Sequence, residues 1–168
     1  MRQFILLFAF PLTVLAEGFS SPQLLDQGQT LTYVAASGDV LQAPKQPDQV
    51  SFAKPKRSSD GQFLGWLAEY PNGGTSYPIP LTLVIIDTTG QVQAFSGQQA
   101  IFGWCYLDAL QAVAFRQSAL HGPSDEVFEL HRLNDGHLLA RFIQPWQDQE
   151  AVTPIPKMPD WATCAAVE

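Results

Sequence analysis

The sequence predicts an all-β fold, in which two to three blade-like antiparallel sheets pack as a sandwich or a partial propeller. Three observations predict it. Short runs rich in β-branched and aromatic residues recur between turn signals, as in residues 81–86 (LTLVII). The runs repeat: Gly65-Trp66 maps to Ala114-Phe115 at 49 residues, Phe95 to Phe142 at 47 and Gly90 to Gly136 at 46. The 13 prolines and 12 glycines break the chain too often for a mainly helical domain.

The first segment precedes the fold. Met1-Arg2-Gln3 is a short positive start, residues 4–15 (FILLFAFPLTVL) are apolar, and Ala16 ends the run before Glu17. This is the pattern of a secretory signal peptide over residues 1–16, and the apolar run is shorter than the roughly 20 residues of a membrane span. The rival reading is a membrane anchor or a buried helix. Cleavage after Ala16 removes Arg2 and leaves no membrane segment, so the expected location is periplasmic or secreted.

Residues 17–57 read as an irregular N-terminal region with a short strand pair. Residues 30–35 (TLTYVA) alternate, Ser37-Gly38-Asp39 marks a turn, and Val40-Leu41 resumes an extended run. Pro44, Pro47 and Pro55 follow. Lys54-Pro55-Lys56-Arg57 concentrates basic charge, as a solvated loop or, alternatively, a patch facing a partner.

Residues 58–142 read as a two-repeat β domain. Ser58-Ser59-Asp60-Gly61 is a turn, residues 63–68 (FLGWLA) a buried strand, 81–86 a second, Thr89-Gly90 a hairpin turn and 91–95 a third strand. The second unit runs through residues 104–107, 112–116 and 127–133, the Asn134-Asp135-Gly136 turn, and 137–142. One stretch competes with this reading. Residues 108–120 (DALQAVAFRQSAL) are rich in good helix formers, so the alternative is an α+β fold with a helix near 107–120. The repeat favours a strand there. Residues 143–168 read as a Pro-rich C-terminal tail.

Residues 59–66 (SDGQFLGW) resemble the strand pair of the WD40-like repeats in TolB-type periplasmic β-propellers, and residues 83–90 (LVIIDTTG) resemble the hairpin that follows it. The resemblance implies blade-like units over about half of the chain. Asp108-Ala109-Leu110 departs from it, standing where Asp-Gly is expected. Residues 75–80 (TSYPIP) also resemble a segment of small exported bacterial proteins, a likeness that implies no activity. A closed single-chain propeller needs at least four blades of about 40–45 residues. Only residues 58–142 repeat, so an open stack is expected.

Composition limits function. Hydrophobic residues make up 46% of the chain and aromatic ones 11%, enough for a core. The net charge of −7 has the wrong sign for a nucleic-acid surface. Cys105 and Cys164 are the two cysteines, and export favours a disulfide between them over a thiol nucleophile at Cys105. No nucleophile elbow, phosphate loop or zinc-protease helix motif is present. His131 and His137 flank a turn and, with Glu129 or Asp135, offer a weak metal constellation; a solvated hairpin is the better reading. Asp60, Asp87 and Asp135 read as turn formers, and Glu69 and Asp108 form no evident acid/base pair with them. No catalytic residue, metal or cofactor is expected.

The unusual segment is residues 70–80 (YPNGGTSYPIP), a stiffened loop that combines large amphipathic rings with hydrogen-bonding groups. Tyr70, Asn72, Thr75, Ser76 and Tyr77, with His121 from the corresponding loop of the second unit, form the candidate binding rim. The rival reading is a rigid loop whose tyrosines cover the core. The expected function is a non-catalytic binding or protein-interaction module of the bacterial cell envelope, with an envelope protein or a saccharide as partner. An immunity or inhibitor protein against a secreted toxin or hydrolase is the first alternative, and a small hydrolase the second. A homodimer would cover the edge strands that an incomplete propeller leaves.

Overall fold

Residues 63–70 carry apolar side chains on both faces of one strand, so this strand needs cover on two sides. The architecture supplies it. A computed structural model describes residues 18–147, 154 and 156–167; the expected signal peptide at 1–16 lies outside them. Among the described residues eleven strands form three antiparallel sheets. The first holds β1 (Gln23–Leu25), β2 (Thr30–Val34) and β3 (Val40–Gln42) in sequence order. The middle sheet holds β4 (Ser51–Arg57), β5 (Phe63–Tyr70), β6 (Ile79–Asp87) and β7 (Val92–Ser96). The last holds β8 (Ala100–Leu107), β9 (Ala112–Ser118), β10 (Glu126–Arg132) and β11 (Leu138–Gln144). A short helix, α1 (Asp160–Ala166), ends the described chain. The fold is all-β with stacked sheets, and no sheet closes into a barrel.

Three apolar clusters lie between successive layers. Leu31 and Tyr33 of the first sheet meet Phe52, Leu64, Trp66 and Val84 of the middle sheet. The other face of the middle sheet sends Leu67, Leu83, Ile85 and Phe95 against Ile101, Trp104, Val113 and Phe115 of the last. The remaining face of the last sheet, with Ala112, Ala114, Phe128 and Leu130, is covered by Ala162 and Ala165 of α1. Both four-stranded sheets are therefore buried on two faces, which is why their central strands do not alternate. Residue 65 sits at the closest approach: a Cβ there would come within 2.7 Å of Trp104 Cη2, so glycine is required by packing.

The 46–49-residue spacing now has a geometric meaning. Both four-stranded sheets are simple meanders in which each strand pairs with its sequence neighbours. Trp66 and Phe115 each point back toward the preceding sheet. Phe95 and Phe142 each point forward toward the following layer. Gly90 and Gly136 both take positive φ in the hairpin turns, at 87° and 70°. The turn that lacks Asp-Gly is made differently: Asp108–Leu110 form a single 3₁₀ turn, and Gln111 takes the left-handed position with φ 47°.

One competing reading is decided in favour of the strand, and two boundaries differ from expectation. Residues 107–120 hold strand β9 after the 3₁₀ turn and no α-helix, because Ala112, Val113, Ala114 and Phe115 are buried between two layers whatever their helix propensity. The repeat domain starts before residue 58, since β4 pairs with β5 from Ser51↔Glu69 to Arg57↔Leu64. Its edge position and a bulge at Lys54, with φ 45°, accommodate Pro55. The basic residues there lie on a paired strand and not in a free loop. Lys54 Nζ donates to Phe102 O at 2.8 Å and Lys56 Nζ to Trp104 O at 2.5 Å, capping carbonyls along the outer edge of β8. Finally, the C-terminal region is partly regular: β11 continues to Gln144, and α1 is fastened to β8 by the Cys105–Cys164 disulfide. No helix among the described residues is long and apolar enough to cross a membrane.

Candidate functional site

The meander separates two rims. At one, tight turns join β4 to β5, β6 to β7, β8 to β9 and β10 to β11. At the other, the longer connections emerge: residues 71–78, 97–99 and 119–125, together with the start of β4 and the end of β11. The loops at 70–80 and 118–123 thus open on the same rim. β7 and β8 join there, and β9, antiparallel to β8, must end there too. Buried Gln117 fastens the two, its Oε1 accepting from Gln98 N at 2.9 Å.

The tight-turn rim holds most of the carboxylates weighed for acid/base chemistry, and turn bonds occupy those of Asp60, Asp87 and Asp135. Asp60 accepts from the Ser58 hydroxyl at 2.6 Å and from Gln62 N at 3.0 Å. These bonds, the hydroxyl first, hold its carboxyl below the ordinary value. At Asp87 burial pushes upward, but the Thr89 hydroxyl and the amides of Gln91, Thr89 and Gly90 together outweigh it and the carboxyl is lowered. Asp135 is lowered chiefly by the His137 amide, then by Arg132. Nearby, burial raises the Tyr106 phenol well above its usual value, with the charges of Asp108 and Asp60 adding to the effect.

The histidines do not form a metal site. His131 lies opposite Leu138 rather than His137. Its ring stacks on Phe115 at 5.4 Å and touches Phe95 at 4.9 Å. Its ring nitrogens meet Glu129 Oε2 and Gly136 O, each at 3.0 Å. Among the described residues no cluster of three or more potential ligands occurs.

On the loop rim the expected residues divide. Tyr70 is half-buried against the cluster between the first and middle sheets, and its hydroxyl reaches Thr82 Oγ1 at 3.4 Å. Its ring does what the rigid-loop reading assigned to it. Asn72 builds the turn, its side-chain oxygen accepting from Gly74 N and its carbonyl from Thr75 N. Thr75 Oγ1 donates to Tyr77 O at 2.5 Å, which fixes the end of the loop. Ser76 and Tyr77 face solvent, Tyr77 being 53% exposed. His121 is exposed in the loop before β10. No hydrogen bond or ring contact links it to Tyr70 or Tyr77 among the described residues.

Concavities line this rim. One of about 510 Å³ lies where the first and middle sheets meet, between Gln27, Gln49, Ser51 and Pro78. A second, about 330 Å³, is walled by Tyr70, Thr82, Ser96 and Gln98; Thr82 and Ser96 share a hydroxyl bond of 3.2 Å. A third, also about 330 Å³, lies at the end of the last sheet, between Ser118, Ser124, Glu126, Gln144 and Trp146. Sequence reasoning placed Ser118 and Gly122 on this rim but missed Ser124, Glu126, Gln144 and Trp146 of the third cleft. The signal for the cleft was a lone tryptophan in the polar run 144–149 (QPWQDQ).

No protein-family model matches the chain, and no curated protein matches it. The site therefore rests on geometry.

Proposed function

We propose that the chain is an exported, non-catalytic binding module of the cell envelope whose loop rim engages a partner. One observation supports this reading above others: the long loops of both four-stranded sheets open on one side, beside concavities of which two combine an aromatic ring, Tyr70 or Trp146, with hydroxyl and amide groups. Such mixed, partly pre-formed surfaces suit recognition. Asp60, Asp87 and Asp135 of the opposite rim are engaged in turns, and at the loop rim Glu69 and Glu126 are held by Ser51 and Arg116, which supports a binding role for the loops. The blade-like meanders support the resemblance to the WD40-like units of periplasmic propellers, and the disulfide suits an oxidising periplasmic or extracellular setting.

The test uses purified protein and insoluble cell-envelope material in a co-sedimentation assay. The expected result is saturable retention that Tyr77→Ala abolishes while the thermal midpoint stays unchanged. Retention of Tyr77→Ala at the level of the natural chain, or no saturable retention at all, overturns the proposal.

A further inference from the structure

Trp146 is 52% exposed, yet it is not loose. Its backbone N–H donates to Asp125 Oδ1 at 2.9 Å, which holds the residue beside the 119–125 loop and over the third cleft. The opposite wall carries paired hydroxyls, with Ser118 and Ser124 Oγ atoms 3.0 Å apart and Ser124 Oγ accepting from Ala119 N at 3.0 Å. Glu126 adds a carboxylate whose Oε1 accepts from Arg116 Nη1 at 3.0 Å. Gln144 keeps its Oε1 buried and without a hydrogen-bond partner among the described residues. An unsatisfied buried acceptor is costly until a donor reaches it.

We infer that this cleft is a subsite for a neutral sugar ring, with Trp146 as the stacking platform. A pyranose presents an apolar C–H face and an equatorial belt of hydroxyls. The half-exposed indole matches the first, being a flat, apolar surface with a negative face. Serine hydroxyls, a carboxylate and an amide match the second, since together they donate and accept in several directions. A small turn of the Gln144 side chain brings its unmet acceptor to a ligand hydroxyl. An anionic ligand fits less well: Arg116, beside the cleft residue Glu126, is engaged by it, and Asp125 adds negative charge beside the platform. The volume of about 330 Å³ is at the small end for ligand sites and suits one end or one unit of a glycan. The inference deepens the binding-module reading by naming a ligand class, and it rests on that reading for the biological setting.

The test follows ¹⁵N-labelled protein by NMR while neutral mono- and oligosaccharides of glucose, galactose and N-acetylglucosamine are added. The expected result is a saturable shift of the Trp146 indole N–H and of the Gly122 and Ser124 amides, with binding weakened about tenfold or more by Trp146→Ala and partly kept by Trp146→Phe. Equal response to monosaccharides points to a free sugar, and response to oligosaccharides alone to a polymer strand; either outcome supports the subsite. No shift at about 10 mM of any probe, or shifts that survive Trp146→Ala, overturns it. The two proposals fail separately. A silent Trp146 with Tyr77-dependent envelope retention removes the subsite and leaves the module. Trp146 shifts without any effect of Tyr77→Ala on retention support the subsite and remove the Tyr77-centred rim.

Discussion

Trp104 Nε1 donates to the backbone oxygen of Lys54 at 3.0 Å, joining the last sheet to the middle one across their shared core. The bond is returned at the same edge: Lys54 Nζ reaches Phe102 O, and Lys56 Nζ, over the Trp104 ring at 5.2 Å, reaches Trp104 O. An otherwise bare strand edge is capped by charge, a known defence against edge-to-edge pairing. Trp104→Phe should keep most of the packing but remove the indole N–H that bonds Lys54 O, costing about 0.5–1.5 kcal/mol. Trp104→Ala should cost about 3–5 kcal/mol. Urea unfolding followed by circular dichroism measures both. A loss below about 0.5 kcal/mol for Trp104→Ala contradicts its placement in the core.

Gly65 faces the same tryptophan. An added methyl would meet Ile85, Trp104 and Tyr106 at once. Gly65→Ala is therefore expected to destabilise by about 1–3 kcal/mol through overpacking. At the equivalent position of the next sheet Ala114 is fully buried, facing the small residues of α1. The mirror change, Ala114→Gly, should cost about 1 kcal/mol from lost burial and added backbone freedom.

The two rim tyrosines should separate stability from binding. Tyr70 packs on the core, so Tyr70→Ala should lower stability by about 2–4 kcal/mol. Tyr77 is exposed, and Tyr77→Ala should change stability by less than about 0.5 kcal/mol. Parallel thermal scans distinguish them, and equal losses contradict the division.

Reduction of Cys105–Cys164 opens a 59-residue separation and should cost about 4 kcal/mol in the chain-entropy account. The loss should fall first on α1, whose seven residues hold the last sheet through Ala162 and Ala165. Hydrogen exchange with and without reductant should show α1 amides losing protection before those of β5 and β6. Uniform loss across the chain goes against this order.

Acid should weaken the tight-turn rim. Asp60, Asp87 and Asp135 have folded values below the ordinary carboxyl value of 3.8. Each therefore favours the folded state fully above that value, and its contribution is lost as pH falls through the lower folded value. Asp60 and Asp135 are exposed and Asp87 is partly exposed, so each effect is small. Thermal midpoints measured from pH 6 down to about pH 2 should fall less steeply for Asp60→Asn with Asp87→Asn than for the natural chain. Identical acid limbs speak against these turn bonds.

Much of this was legible in the chain. Alternating and β-branched runs marked nearly every strand from β5 onward, and the 46–49-residue spacing located equivalent positions such as Trp66 and Phe115. The cysteine pair was evident because there were two cysteines and no competing connectivity. Strand β4 was hidden, since proline and lysine read as loop when the edge they cap is unknown. The Trp146 cleft was hidden because its walls come from β9, β10, β11 and a loop, spread over residues 118–147.

By itself, then, the sequence determined the local elements: which runs extend and which turns need glycine or aspartate. Only the tertiary structure decided what covers the faces of the central strands and where the loops meet. Stacking gave Tyr70, at the end of β5, a core role and left Tyr77, in the loop that follows, exposed. It also made strand of residues 112–118, where propensity favoured helix. The reason is physical: propensity and patterning act over a few neighbours, whereas burial between layers is fixed by residues tens of positions away.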